Sequence, residues 1–168
     1  MKYFCIILCF LLTGCSYTDV VTINHQQKVL ITLYFPEKET HRFVEEKRFV
    51  PKEQVETAEE KIAFVLRELQ KGPNNEQLES PFPKEGTMRL HKFSAHMAVV
   101  DFSQEFVEAH SGGSTGEYLT LYSITNSLTK IPEVNRVSFT VEGEETELFK
   151  GHFDLTETFS FSIDENQN

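Results

Sequence analysis

The run Gly112-Gly113-Ser114-Thr115-Gly116 has the spacing G-x-S-x-G. In that pattern a strained strand-to-helix turn lifts a serine hydroxyl out of a sheet as a nucleophile. The chemistry also needs an acid and a histidine later in the chain. His152 is the single histidine after Ser114, and Glu133 or Glu142 would have to serve as the acid. The preceding Phe106-Val107-Glu108-Ala109-His110 is a poor central strand, and Gly-Gly is flexible where an elbow must be strained. A helix N-terminus accounts for these residues better. Ser114 with Glu117 three residues on has the capping-box pattern, in which each side chain bonds a free backbone N–H of the other. Ser114, Gly116 and Glu117 are therefore read as structural cap residues. The glycines could also cradle a phosphate at a helix N-terminus. Glu117 already places negative charge there, however, and no lysine follows as it does in a P-loop.

The six histidines contain neither H-x-x-x-H nor H-E-x-x-H. His91 and His96 could meet across a two-residue turn, but two histidines without a carboxylate at fixed spacing make weak zinc ligands. His152 and Asp154 fall on one side of an extended chain, where a local hydrogen bond is the ordinary outcome. The acidic clusters Glu37-Glu39, Glu45-Glu46, Glu56-Glu59-Glu60 and Glu142-Glu144-Glu145-Glu147 lack calcium-loop spacing and read as solvated surface. No metal, cofactor or catalytic set is expected.

Cys15 is different. The N-terminus runs Met1-Lys2, an apolar stretch from Tyr3 to Leu12, then Thr13-Gly14-Cys15. A positive residue, an apolar core of about ten residues and a small-residue site make a secretory signal, about half the length a membrane span needs. Leu12-Thr13-Gly14-Cys15 resembles the bacterial lipobox, which implies cleavage before Cys15 and acylation of it. Residues 1–14 would leave as the signal, taking Cys5 and Cys9 with them. Residues 15–27 would form a lipidated tether with a reach of about 20 Å. The whole chain carries 16 basic and 26 acidic residues, a net of −10. Loss of Lys2 makes the mature chain −11, which disfavours nucleic acid and gives no electrostatic pull toward anionic lipid.

The elements that must carry these residues can be read from pattern. Val29 to Phe35 is rich in β-branched and aromatic residues and reads as a buried strand ending at Pro36. Phe43-Val44 to Phe49-Val50 is a short strand pair or an edge. Thr57 to Gln70 is a helix, with Ala58, Ile62, Val65, Leu66 and Leu69 at helical spacing, a Thr57/Glu60 capping box and Gly72-Pro73 as its stop. Asn74 to Glu85 is a loop. Thr87–Phe93 and His96–Phe102 are strands, and a second helix runs from about Gly116 to Lys130 with Tyr118, Leu121, Tyr122, Thr125 and Leu128 facing inward. Val134–Val141 and Thr146–Phe149 form a last strand pair. A domain over residues 28–156 follows, with 157–168 a loose tail. The expected fold is α+β (an α/β layering), with two amphipathic helices packed on a small mixed or antiparallel sheet.

An ordered set of segments then resembles the GerM-type sporulation and spore-germination domain. The set comprises Leu33-Tyr34-Phe35, Leu69-Gln70-Lys71-Gly72-Pro73, Ser80 through Thr87, Val100-Asp101-Phe102-Ser103 and Gly113 through Glu117. It continues with Ile124 through Leu128, Ile131 through Val137, Val141-Glu142-Gly143 and Gly151-His152-Phe153-Asp154-Leu155. The resemblance implies a secreted or lipid-anchored envelope protein with a fold like ring-building modules and no catalytic residues. The best-known members carry two tandem copies, and this chain has room for one. The expected function is a lipid-anchored, extracytoplasmic protein–protein interaction module, held at the outer face of the membrane, with an envelope protein or itself as partner. The alternative is an extracellular ligand or cell-wall-glycan binding module.

Overall fold

A computed structural model describes residues 27–163. Cys15, the expected signal over residues 1–14 and all but the last residue of the expected 15–27 tether lie outside the described residues. The chain begins with β1 (Lys28–Pro36) and β2 (Phe43–Pro51), an antiparallel hairpin that forms a sheet of its own. Phe43 to Pro51 is thus one continuous strand. Its polar centre, Glu45 to Arg48, is tolerated because the strand has a free edge.

Helix α1 (Ala58–Lys71) follows one helical turn at Lys52–Gln54. Its capping box forms as the sequence predicts: the Thr57 hydroxyl accepts from Glu60 N at 3.1 Å, and Glu60 Oε2 accepts from Thr57 N at 3.0 Å. The apolar stripe from Ile62 to Leu69 is buried.

Strands β3 (Met88–Ser94) and β4 (Met97–Phe102) form a second hairpin. Ala95 and His96 turn it with φ of 48° and 61°, the twist that suits a two-residue hairpin loop. Helices α2 (Gln104–Ala109) and α3 (Ser114–Leu128) then carry the chain to β5 (Arg136–Val141), which lies parallel to β4. The second sheet has the order β3-β4-β5 and is mixed. Helix α3 packs on β1 and α1 on β3, and the two helices touch each other. Phe102 centres the core, stacked on Phe106 at 4.7 Å and on Phe139 at 5.4 Å. Among the described residues no helix is long and apolar enough to cross a membrane.

The fold is α+β, as the patterns imply, with five differences in detail. The sheet is split in two. Helix α2 is additional to the expected elements; Ser103 caps it by accepting from Phe106 N. Helix α3 is not amphipathic. Glu117, Thr120, Ser123, Asn126 and Ser127 are as buried as Leu121 and Leu128, whereas Tyr118 and Tyr122 are only half-buried. A helix closed in on all sides shows no clean stripe. Thr146–Phe149 is not a strand. Phe159 bonds Val137 in both directions on the β5 edge, so the expected loose tail is docked at least to Ser162, whose backbone pairs with the Asn126 amide.

Gly86 shows how tightly α2 sits. Its φ is +76°, and a Cβ there would lie 2.1 Å from Phe106 N. Gly86→Ala is expected to cost about 2 kcal/mol or more through overpacking and backbone strain, read as a lowered urea midpoint.

Candidate functional site

The G-x-S-x-G segment lies at the start of α3. Gly112 and Gly113 have φ of 73° and 82°, Gly113 is the N-cap, and no side chain caps the helix. Ser114 is the first helical residue and points into solvent. The predicted capping box is therefore not formed, and Gly116 lies within the first turn beside the His110 ring. The reason is Glu117, which turns inward instead of back toward the helix end.

Glu117 is fully buried. Its Oε2 accepts from the backbone N–H groups of Lys150, His152 and Phe153 at 3.4, 3.2 and 3.1 Å, and its Oε1 accepts from His152 Nδ1 at 2.7 Å. Burial alone would raise its pKa. The His152 side chain and the three amides outweigh burial and hold the carboxyl below its usual range. The segments Gly113–Glu117 and Gly151–Leu155 thus meet here, and the buried charge folds the 147–155 loop onto the helix. The expected His152–Asp154 pairing does not occur, because His152 is spent on Glu117 and Asp154 accepts from Thr156.

His110 anchors a second connection. Gly112 N–H donates to its Nδ1 at 2.9 Å, so Nε2 carries the proton and donates to the Thr120 hydroxyl at 2.8 Å. Thr120 in turn donates to Pro81 O at 2.9 Å. The chain of bonds runs one way, requires a neutral imidazole, and pins the Ser80–Pro83 loop to α3. Burial pushes the His110 pKa down. A cleft of about 330 Å³ lies between this loop and His110, Ser111 and Gly116.

Asp101 makes a third. It is buried in β4, accepts from Thr140 Oγ1 at 2.7 Å and from Gly143 N at 2.6 Å, and takes Arg89 on its other oxygen. Burial opposes the charge, but these donors win and its pKa is lowered. One residue of each strand of the second sheet meets there. An Asp inside the apolar run Ala98–Phe102 was the sequence signal for it.

The candidate triad is not assembled. Glu133 pairs with Lys61, Glu142 accepts from Gln104 N, and His152 faces Glu117. His96 Nδ1 contacts Glu133 O at 2.9 Å while the His91 ring lies against Gly143. Among the described residues no three His, Cys, Asp or Glu side chains are grouped to hold a metal. Glu46 is not the solvated surface expected of its acidic run: together with Glu68 it grips Arg48, which also donates to Gly72 O at 2.7 Å. A groove of about 390 Å³ crosses the second sheet, lined by His91, Lys92, Ser94, Thr140, Thr156 and Thr158 among others.

Residues 32–147 match the Germane family model, described as sporulation and spore germination. Solved structures share the fold, among them these three. A candidate lipoprotein from Clostridium perfringens aligns with a TM-score of 0.52 at 20% identity, over 79% of this chain and 87% of that one. The first GerMN domain of the Bacillus subtilis sporulation protein GerM aligns with a TM-score of 0.58 at 22% identity, over 81% and 96%. The tandem GerMN domains of the same protein align with a TM-score of 0.62 at 21% identity, over 80% of this chain and 46% of the tandem. No curated protein sequence matches the chain.

Two substitutions separate the roles at the start of α3. Ser114→Ala should change stability by less than about 0.5 kcal/mol, as an exposed side chain without a capping bond. Glu117→Gln should cost about 2–4 kcal/mol, because a buried acceptor of several donors loses its charge; urea unfolding reads both. The pH dependence has a definite sign. His110 has a folded pKa below its unfolded value of about 6.5, so its contribution is complete above about pH 6.5. That contribution is lost as pH falls toward the folded pKa, since the unfolded chain takes up the proton first. Replacing it, as in His110→Leu, should flatten that part of the stability curve in urea titrations from neutral pH to pH 5.

Proposed function

Because the chain belongs to the Germane family of sporulation and spore germination domains, we propose that it is a lipid-anchored, extracytoplasmic module of the bacterial envelope that works by protein–protein contact. The observation that carries this reading is what the reactive side chains do. Glu117, His152, His110 and Asp101 give their hydrogen bonds to loop backbones and neighbouring strands. Each is a fastener within the fold, and the hydroxyls beside His110 and Asp101, those of Thr120 and Thr140, are themselves buried and hydrogen-bonded. Ser114 is exposed at the start of α3. Function then falls to surfaces. The lipobox-like Leu12-Thr13-Gly14-Cys15 supplies the anchor, and the likeness to a candidate lipoprotein accords with it. Cys15 would hold the domain at the outer face of the membrane with a short tether.

A second reading has one feature in its favour. The 390 Å³ groove on the second sheet offers hydroxyls, an imidazole and a lysine to a polar ligand, as a cell-wall-glycan binding module would need.

The anchor predicts globomycin-sensitive processing and loss of lipid labelling in Cys15→Ser, with release from the membrane fraction. Membrane retention of that mutant at the level of the parent would refute it. For the mode of action, crosslinking in native envelopes should trap a protein partner or a second copy. Micromolar glycan binding by the purified protein, with no protein crosslinked, would favour the groove instead.

A further inference from the structure

The β1–β2 hairpin has two faces. One buries Ile31, Leu33 and Phe35 against the core. The other carries the cross-strand pairs Lys28–Pro51, Leu30–Phe49, Thr32–Lys47 and Tyr34–Glu45, since side chains alternate between faces along a strand. At the Tyr34 end this outer face is covered. The Phe161 ring lies 5.7 Å from Tyr34, and Lys130 lies 4.5 Å over Phe161. At the other end it is open: Leu30 is 46% and Phe49 is 70% exposed. These two apolar side chains face each other across the strands and form one tip.

The N-terminal segment leaves the domain at that same tip. Lys52 N donates to Gln27 O at 2.8 Å, and Lys52 Nζ donates to Gln27 Oε1 at 3.2 Å. The departure point is thereby fastened beside Pro51 and Phe49. Only residues 16–27 separate it from Cys15, a reach of about 20 Å as a flexible chain. The rim is locally basic although the mature chain is acidic overall. Lys28, Lys47 and Lys52 surround Leu30 and Phe49, with Lys47 shared with Glu45 at 3.8 Å.

We propose that the Leu30–Phe49 tip seats in the headgroup layer of the membrane to which Cys15 is joined and orients the domain on it. This rests on the lipid-anchored reading. Two side chains are too little to bring a free protein to a bilayer, but the anchor makes their docking intramolecular, at a high effective concentration. Lysine stems flanking an aromatic suit this depth, because the stem lies along apolar surface while the ammonium reaches water and lipid phosphate. The start of α3 and the 147–155 loop then point outward. Leu30 shares a groove with Ser127 and Lys130 at the C-terminal end of α3, whereas the loop is bound at Glu117, toward its other end. The 15-residue helix is about 22 Å long.

The chain contains no tryptophan, so Phe49→Trp supplies a single reporter at an exposed position. Leu148→Trp, at a site 48% exposed on the distal loop, supplies the control. The full mature protein, with lipidation established by mass, is reconstituted into phosphatidylcholine–phosphatidylglycerol vesicles with and without brominated acyl chains. The expected result is a blue-shifted emission and strong bromine quenching for Phe49→Trp, and neither for Leu148→Trp. A lipidated Phe49→Trp protein that emits as in water overturns the seated tip and leaves the anchor standing. A mass without acyl chains removes both. Equal quenching at the two positions refutes a fixed orientation. A shift that needs no vesicles and grows with protein concentration assigns the tip to a second copy and overturns the proposal.

Discussion

A buried carboxylate fastens the loop over residues 147–155 to helix α3. Glu117 sits in the first turn of α3, where negative charge is favoured by the helix dipole. Its four acceptor contacts reach a loop more than 30 residues away in sequence. Burying a charge is unfavourable unless donors replace its water; here the donors are amides of a loop that has little other regular structure. The arrangement is reciprocal. The loop neutralises Glu117, and Glu117 gives the loop its shape. That loop then brings Phe149 and Leu155 to the core and leads to Phe159, which pairs with the β5 edge.

The same use of polar groups recurs across the molecule. Asp101 joins the strands of the second sheet, His110 joins α2, α3 and the proline loop, and Arg48 joins β2 to the end of α1. The buried hydroxyls and amide of α3 continue the theme. Ser127 accepts from Tyr34 N on β1, and Asn126 exchanges two bonds with Ser162. Helix α3 is thus a polar axle, with apolar strands and loops fixed to it by directional bonds as well as by packing. Polar side chains so engaged fix one arrangement of the loops.

Much of the domain follows from local pattern. The α1 capping box, its apolar stripe and its Gly72-Pro73 stop are determined within one stretch of chain, where i to i+3 and i+4 relations govern. The β3–β4 hairpin is readable for the same reason. Helix α3 deceived by similarity. Ser114 with Glu117 has the spacing of a capping box, and spacing alone does not say which way a carboxylate turns. His152 likewise paired with a residue 35 positions away rather than with its neighbour Asp154. The resemblance rested on an ordered set of short segments, and several of those segments are the ones that touch: Gly113–Glu117 meets Gly151–Leu155, and Ser80–Pro83 meets the His110–Thr120 link.

The sequence by itself determined the acidic balance, the address-like N-terminus, the family and the elements whose signals are local. Tertiary structure decided which polar residues became internal fasteners, that the C-terminal segment docks up to Ser162, and that Leu30 and Phe49 stand exposed together near Gln27. The physical reason is one of range. Propensity and capping act over three or four residues, whereas the partner that offsets a buried charge or covers a strand edge is chosen by the folded chain, whatever its distance along the sequence.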